Sequence, residues 1–102
     1  MITVLTFKQA HDFLLNEPDS VILDVREEPE YLSGHAFNAV NLPVDELNAA
    51  VAADVIPSLS TPVLVYCRTG RRSARAARML EGMGYTKVCD MGGLVGWPYG
   101  LE

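Results

Sequence analysis

The chain has 102 residues, 49% of them hydrophobic, and a net charge of −5. This length and hydrophobic content are typical of one globular domain over residues 1–102, and the hydrophobic content excludes a disordered polar segment. No apolar run approaches the roughly 18 residues that a membrane-spanning helix needs, so we expect no membrane contact. Two cysteines are too few for a disulfide framework and the N-terminus shows no secretory signal, so we expect a cytoplasmic protein. We also expect a monomer.

The first part of the chain alternates apolar and amphipathic runs. Residues 2–5 predict a strand, and Thr6 is suited to cap a helix over residues 7–16. The apolar residues 21–25 predict a second, buried strand.

The segment that follows is polar. Residues 26–31 contain Pro29 and several acids, which predict a turn and the start of a helix. Arg26 and Glu30 are one helical turn apart, so we expect them to form an ion pair. His35 then precedes a short strand at residues 40–42. Because histidine titrates near neutral pH, His35 is a candidate general base, and the alternative is a hydrogen-bonded structural histidine.

The second half repeats the alternation of helices and strands. Its first part predicts a helix at residues 45–53 and a proline-bounded connection at 55–62. A buried strand follows at 63–66, and then an amphipathic helix at 71–83 that ends at Gly84. The last predicted strand is at 87–91, before a turn at Gly92 and Gly93. This order predicts an α/β fold with a mostly parallel central sheet and helices on both faces.

Cys67 lies where the predicted strand 63–66 gives way to the next helix. A loop curled around its sulfur can aim several N–H groups at it, because the first turn of a helix leaves them unpaired. Arg68, Arg71 and Arg72 add positive charge, and such surroundings lower the pKa of a cysteine. We interpret Cys67 as a reactive thiolate, and the alternative is an inert core residue.

The charge is unevenly distributed. Residues 68–78 contain five arginines and no acid, so the rest of the chain carries −10. A concentrated cationic site on an acidic body favours a small anionic substrate. It argues against nucleic acid, which needs a wider basic face. We interpret Arg75 and Arg78, beyond the loop, as a solvated helix face.

Two further residues each have two interpretations. Cys89 is either a resolving thiol for Cys67 or a core residue of the last strand, and we favour the core residue. Trp97 either shapes the rim of a pocket or packs near the C-terminus. The spacing of the two cysteines matches no metal-ligand pattern, so we predict no metal site.

Three ordered segments resemble signatures of the rhodanese family. They are VILDVREEPEYLSGHAFNAVNLP, the loop CRTGRR after the buried strand, and MGGLVGW. The resemblance covers residues 21–97 and departs from the family pattern at residues 36–38, where many relatives have isoleucine, proline and glycine. Three motifs in the right order are much more specific than one.

The resemblance implies a rhodanese-like fold with a catalytic Cys67 at the head of a six-residue loop. The residues expected to bind substrate are Arg68, Thr69, Gly70, Arg71, Arg72 and Ser73. Asp24 and Arg26 are expected to brace the site. The family uses no histidine triad, which favours the structural interpretation of His35.

The implied activity is thiosulfate sulfurtransfer through a Cys67 persulfide. The donor is a small anion such as thiosulfate, and the acceptor is cyanide or a thiol, including a protein thiol. No metal or organic cofactor is required, because the cysteine carries the sulfur.

Two alternatives remain open. One is a sulfur-relay or protein-binding module that a partner protein supplies with sulfur. The other is an arsenate reductase or phosphatase, but related oxyanion enzymes have five residues between the cysteine and a clamping arginine. Here that position is Ser73, and the smaller loop favours sulfur.

Overall fold

The computed structural model describes all 102 residues. Five strands form one sheet: β1 (Ile2–Val4), β2 (Val21–Asp24), β3 (Val40–Asn41), β4 (Val63–Cys67) and β5 (Val88–Gly93). The helices are α1 (Phe7–Asn16), α2 (Glu28–Leu32), α3 (Ala49–Val55) and α4 (Arg71–Gly82). The strand order is β1-β5-β4-β2-β3, and every neighbouring pair is parallel. The predicted α/β fold is confirmed.

Helices cover both faces of the sheet. One core lies beneath α3 and α4 and includes Val63, Val65 and Cys67 of β4. The other lies beneath α1 and includes Leu64 and Tyr66. The pleat of a strand points successive side chains to opposite faces. Because both faces are covered, every residue of β4 is buried, and this accounts for its uninterrupted apolar sequence.

Side-chain caps fix where two of the helices begin. The Thr6 hydroxyl accepts a hydrogen bond from the Gln9 N–H at 3.1 Å, and the Gln9 side chain accepts one from the Thr6 N–H at 2.9 Å. This capping box starts α1. Asn48 Oδ1 accepts from the Val51 N–H at 3.0 Å and starts α3. None of the helices combines the length and hydropathy needed to cross a membrane.

Two predicted boundaries are wrong. The helix expected over residues 45–53 is divided into a 3₁₀ turn, Val44–Glu46, and α3, because the Asn48 cap starts a new helix there. The predicted glycine turn belongs to β5, which extends through Gly93. A bulge at Met91 lets β5 continue, since Val65 pairs with Asp90 and the next residue of β4 pairs with Gly92.

Candidate active site

Cys67 ends β4 at the carboxyl edge of the sheet, where parallel sheets commonly bind ligands. A short connection then leads into α4 at Arg71. Gly70 precedes the helix with φ at +103°, a left-handed conformation that favours glycine. This turn brings the chain back toward the cysteine and places the first turn of α4 beside its sulfur.

The loop aims hydrogen-bond donors at the Cys67 sulfur. The Gly70 N–H donates to Sγ at 2.9 Å. Burial alone raises the pKa of the Cys67 thiol, but the backbone N–H and hydroxyl of Ser73 and the N–H groups of Gly70 and Thr69 outweigh burial and hold the pKa below its usual value. The Ser73 hydroxyl also lies 3.1 Å from the Gly70 carbonyl, so its one proton is shared. This environment favours a thiolate.

The Cys67 side chain is also buried. Cys67 is 0% exposed and belongs to the core beneath α3 and α4. The residue is therefore buried like a core cysteine and also surrounded by donors that suit a thiolate.

Close backbone packing holds the loop against β5. A Cβ on Gly93 would lie 3.0 Å from the Cα of Thr69 and closer still to the Arg68 carbonyl oxygen. Only glycine fits this position without displacing the backbone. The Leu94 N–H donates to the Cys67 carbonyl at 2.8 Å, and this hydrogen bond holds the backbone of Cys67 in place.

Arg72 is paired with a carboxylate. Its Nη1 and Nη2 donate to the two carboxylate oxygens of Glu30 at 2.6 and 2.9 Å, which joins α4 to α2. The expected Arg26–Glu30 ion pair is therefore wrong, because Arg26 binds Asp24 instead. The hydrogen bond to Glu30 is the main reason that the pKa of Arg72 is raised, and the Cys67 sulfur makes a smaller contribution.

The Arg72–Glu30 pair predicts an acid-dependent loss of stability. The hydrogen bond from Arg72 lowers the pKa of Glu30 from 4.5 to about 2. Because the folded pKa is the lower one, the pair stabilises the fold above about pH 4.5 and loses this effect as pH falls toward 2. In Glu30→Gln we expect a smaller decrease in the free energy of unfolding over that interval, measured by urea unfolding. An acid profile identical to wild type would contradict this.

Arg68 and Arg71 form no ion pair in the structure. Arg68 lines a groove of about 350 Å³ that also contains Trp97 and Leu101. Arg71 lines a different cleft, of about 540 Å³, on α4. The three loop arginines therefore do not form one cluster: two are unpaired and face different depressions, and Arg72 is held by Glu30.

A buried ionic network lies behind the cysteine. Arg26 Nη2 donates to Asp24 Oδ2 at 2.6 Å and to the Gly34 carbonyl at 2.7 Å. The Tyr66 hydroxyl donates to the same Asp24 oxygen at 2.6 Å and accepts from the Ala36 N–H at 3.1 Å. The network joins the loop at residues 34–36 to the residue directly before Cys67, and the bracing role of Asp24 and Arg26 stays a prediction.

His35 is engaged away from the cysteine. Its Nδ1 lies 3.0 Å from the Tyr31 carbonyl, and its ring stacks on Tyr31 with centroids 3.8 Å apart. Its backbone N–H and carbonyl pair with Glu102. This placement favours a structural histidine over a general base.

Cys89 lies on the opposite face of the sheet from Cys67, in the core beneath α1. It pairs with Leu64, which lies about 10 Å before Cys67 along the strand. Disulfides need Cα atoms within about 7 Å, so a Cys67–Cys89 bridge does not fit this fold. Burial raises the pKa of the Cys89 thiol, as expected of a core cysteine. No cluster of three or more metal-ligating side chains occurs in the structure.

Sequence reasoning missed two contributors to the site. The partner of Arg72 is Glu30, distant in sequence, and no local pattern indicated that contact. The role of Tyr66 had a signal, because a tyrosine inside a buried strand needs a partner for its hydroxyl. Asp24, within the predicted strand 21–25, was the available acceptor.

Comparison with known proteins extends this description. The model of the rhodanese-like domain family matches residues 6–98. The chain is similar to the thiosulfate sulfurtransferase PspE of Escherichia coli (strain K12), with 39% identity over 72 residues, 71% of this chain and 68% of PspE. It is also similar to a solved structure described as rhodanese with anions from E. coli, with 35% identity, a TM-score of 0.73, and coverage of 81% of this chain and 96% of that one. A solved structure of a rhodanese-like domain protein from Staphylococcus aureus is also similar, with 28% identity and a TM-score of 0.81, and with coverage of 98% of this chain and 96% of that one. The chain belongs to the rhodanese-like domain family.

Proposed function

We propose that this protein is a sulfurtransferase that carries sulfane sulfur from thiosulfate to cyanide or a thiol as a persulfide on Cys67. The observation that carries the proposal is the set of donors from Thr69, Gly70 and Ser73 around Sγ, which lowers the pKa of the thiol despite its burial. The similarity to a protein named thiosulfate sulfurtransferase supports the same chemistry.

The reaction has two balanced steps. The Cys67 thiolate attacks the outer sulfur of thiosulfate, a new S–S bond forms, and sulfite leaves with the electron pair of the broken S–S bond. Loop N–H groups from residues 68–73 stabilise the persulfide anion without reorganising during the transfer. Cyanide or a thiolate then attacks the outer sulfur, and Cys67 leaves as a thiolate.

The unpaired loop arginines suit the anionic donor. Arg68 and Arg71 have no carboxylate partner, so both are available to thiosulfate. We assign Arg72 to holding α4 against α2 through Glu30.

Arg71→Ala is expected to raise the thiosulfate KM about tenfold, because one charged hydrogen bond to the donor contributes about 1.5 kcal/mol. The decrease in kcat should be smaller, since Sγ keeps its donors. Thiocyanate formation at varied thiosulfate measures both constants. Lys87→Ala, which removes a positive charge outside both depressions, is the control. Equal KM values in the two variants would remove Arg71 from donor binding.

The oxyanion-enzyme alternative has less support in this geometry. The position that such an enzyme uses for a clamping arginine is occupied by Ser73, whose hydroxyl donates to the Gly70 carbonyl. The adjacent Arg72 is held by Glu30. Neither side chain is free to enclose a phosphate or arsenate.

Steady-state kinetics test the proposed function. With thiosulfate and cyanide both varied, we expect thiocyanate formation with parallel double-reciprocal lines, the pattern of a covalent intermediate. Cys67→Ser should form none. Absence of thiocyanate from the wild type, together with loading of Cys67 by a persulfidated protein, would replace this proposal with the sulfur relay. The cytoplasmic location stays a prediction from the cysteine content.

A further inference from the structure

Four arginine side chains line one cleft on α4, which we call the arginine cleft. It has a volume of about 540 Å³ and is lined by Thr69, Arg71, Arg72, Arg75 and Arg78. No acidic or apolar side chain contributes to its wall. Thr69 belongs to the cysteine loop, so the cleft begins beside the reactive residue and extends away from it along the helix.

Two of the four arginines that line the cleft have no carboxylate partner. The Arg72 charge is offset by Glu30. Arg75 approaches Asp45 at 3.1 Å, but both side chains are more than half exposed, and such surface pairs contribute little. Arg71 and Arg78 have no carboxylate partner. An anion placed in the cleft therefore meets at least two free guanidinium groups.

The cleft is longer than a small donor requires. Arg71, Arg75 and Arg78 share one face of α4, because they are separated by four and then three residues. At 1.5 Å per residue, the row extends about 10 Å along the helix axis. One thiosulfate ion occupies only one end of such a row. An extended peptide covers the same length with about three or four residues.

We propose that the arginine cleft docks an acidic segment of a protein that presents the acceptor thiol to Cys67. The inference rests on the proposed function and names the acceptor of the same site. Complementary charge is the argument: four of the five arginines within residues 68–78 line the cleft, no acid lies in that segment, and the rest of the chain carries −10. An acidic partner is repelled by the body of the protein and attracted to this one face.

The same charge distribution disfavours nucleic acid. A row of about 10 Å meets only a few phosphates, and a longer strand would cross the acidic remainder of the surface. An acidic peptide segment needs no more than the cleft itself. A cysteine a few residues from the segment then lies near Thr69, where the loop begins.

The transfer step balances without an added oxidant or reductant. The acceptor thiolate attacks the outer sulfur of the Cys67 persulfide, and a new S–S bond forms on the acceptor. The S–S bond at Cys67 breaks, its electron pair returns to Cys67, and the thiolate is restored. The acceptor leaves as a persulfide.

Synthetic peptides of equal length test the proposal. Each contains one cysteine flanked by glutamates, serines or lysines, and the rate of discharge of thiosulfate-loaded protein is followed by mass spectrometry. We expect the glutamate peptide to react about tenfold faster than the serine peptide at low salt, and the lysine peptide to be slowest. The advantage should disappear at about 0.5 M salt.

The matched variants are Arg75→Gln/Arg78→Gln and the control Lys8→Gln/Lys87→Gln, which removes the same charge outside the cleft. In Arg75→Gln/Arg78→Gln, the ratio of the glutamate-peptide rate to the serine-peptide rate should fall to within twofold of one. In the control variant, this ratio should equal that of the wild type. Equal rates for the two peptides with wild type, or an unchanged ratio in Arg75→Gln/Arg78→Gln, would overturn the proposal.

Binding separates this proposal from the proposed function, because it does not require sulfur loading. Labelled peptides with serine in place of cysteine are measured by fluorescence anisotropy. Tighter binding of the glutamate peptide to wild type than to Arg75→Gln/Arg78→Gln supports the cleft even if thiosulfate fails to load Cys67. Tighter binding of an eight-nucleotide uridine RNA than of the glutamate peptide would overturn it in favour of nucleic acid.

Discussion

Asp24→Ala is expected to lower the free energy of unfolding by about 3 to 5 kcal/mol, the usual effect of removing one member of a buried ion pair. Asp24 is 0% exposed and accepts hydrogen bonds from Arg26 and Tyr66. Without the carboxylate, the Arg26 guanidinium stays buried with only the Gly34 carbonyl as partner. Urea unfolding followed by circular dichroism measures the change.

Asp45→Ala is the matched control for this effect. It also removes a carboxylate that pairs with an arginine, but Asp45 and Arg75 are both exposed. We expect a change within about 0.5 kcal/mol. If Asp24→Ala destabilises the protein no more than Asp45→Ala, the buried network does not brace the fold.

Gly93→Ala is expected to lower the kcat/KM of sulfur transfer about 100-fold, since a backbone shift of about 1 Å at a reacting group has effects of that size. The added Cβ would collide with the Arg68 carbonyl oxygen, which is backbone and cannot rotate away. The loop must move, and its donors then leave the Cys67 sulfur. We also expect a loss of about 1 to 3 kcal/mol in stability from overpacking.

Gly82→Ala provides the comparison for Gly93→Ala. A Cβ at Gly82 meets nothing within 4 Å, and the residue ends α4 with ordinary helical geometry. This variant should keep wild-type kcat/KM, and its stability should be equal or slightly higher. Wild-type activity in Gly93→Ala would show that the contact with Arg68 does not position the loop.

Much of the fold was predictable because local patterns determine it. The four apolar residues 63–66 indicated a buried strand, and the structure confirms it and extends it by one residue to Cys67. The capping pair of Thr6 and Gln9 starts α1 within the predicted bounds. The division at Asn48 was missed, because a single side-chain cap interrupts a helical pattern that looks continuous in the sequence.

The site was less predictable, because its important contacts join distant parts of the chain. The position of Cys67 between strand and helix was readable from the change of period. Whether Arg72 is free depends on Glu30, which α2 carries to the site. The sequence analysis paired Glu30 with Arg26, because their spacing of one helical turn can be read from the sequence. The tertiary contact between Glu30 and Arg72 cannot be read from it. The sequence attributed the thiolate to charge and N–H groups together, whereas the largest effects that lower the pKa of Cys67 come from the N–H groups and the Ser73 hydroxyl.

Intact mass spectrometry after brief exposure to thiosulfate tests the central claim most directly. We predict a gain of one sulfur atom, about 32 Da, on the wild type, its absence in Cys67→Ser, and its removal by cyanide. Cys89→Ser should load like the wild type, because Cys89 lies in the other core. A wild-type mass that is unchanged by thiosulfate, or a gain that persists in Cys67→Ser, would contradict the account.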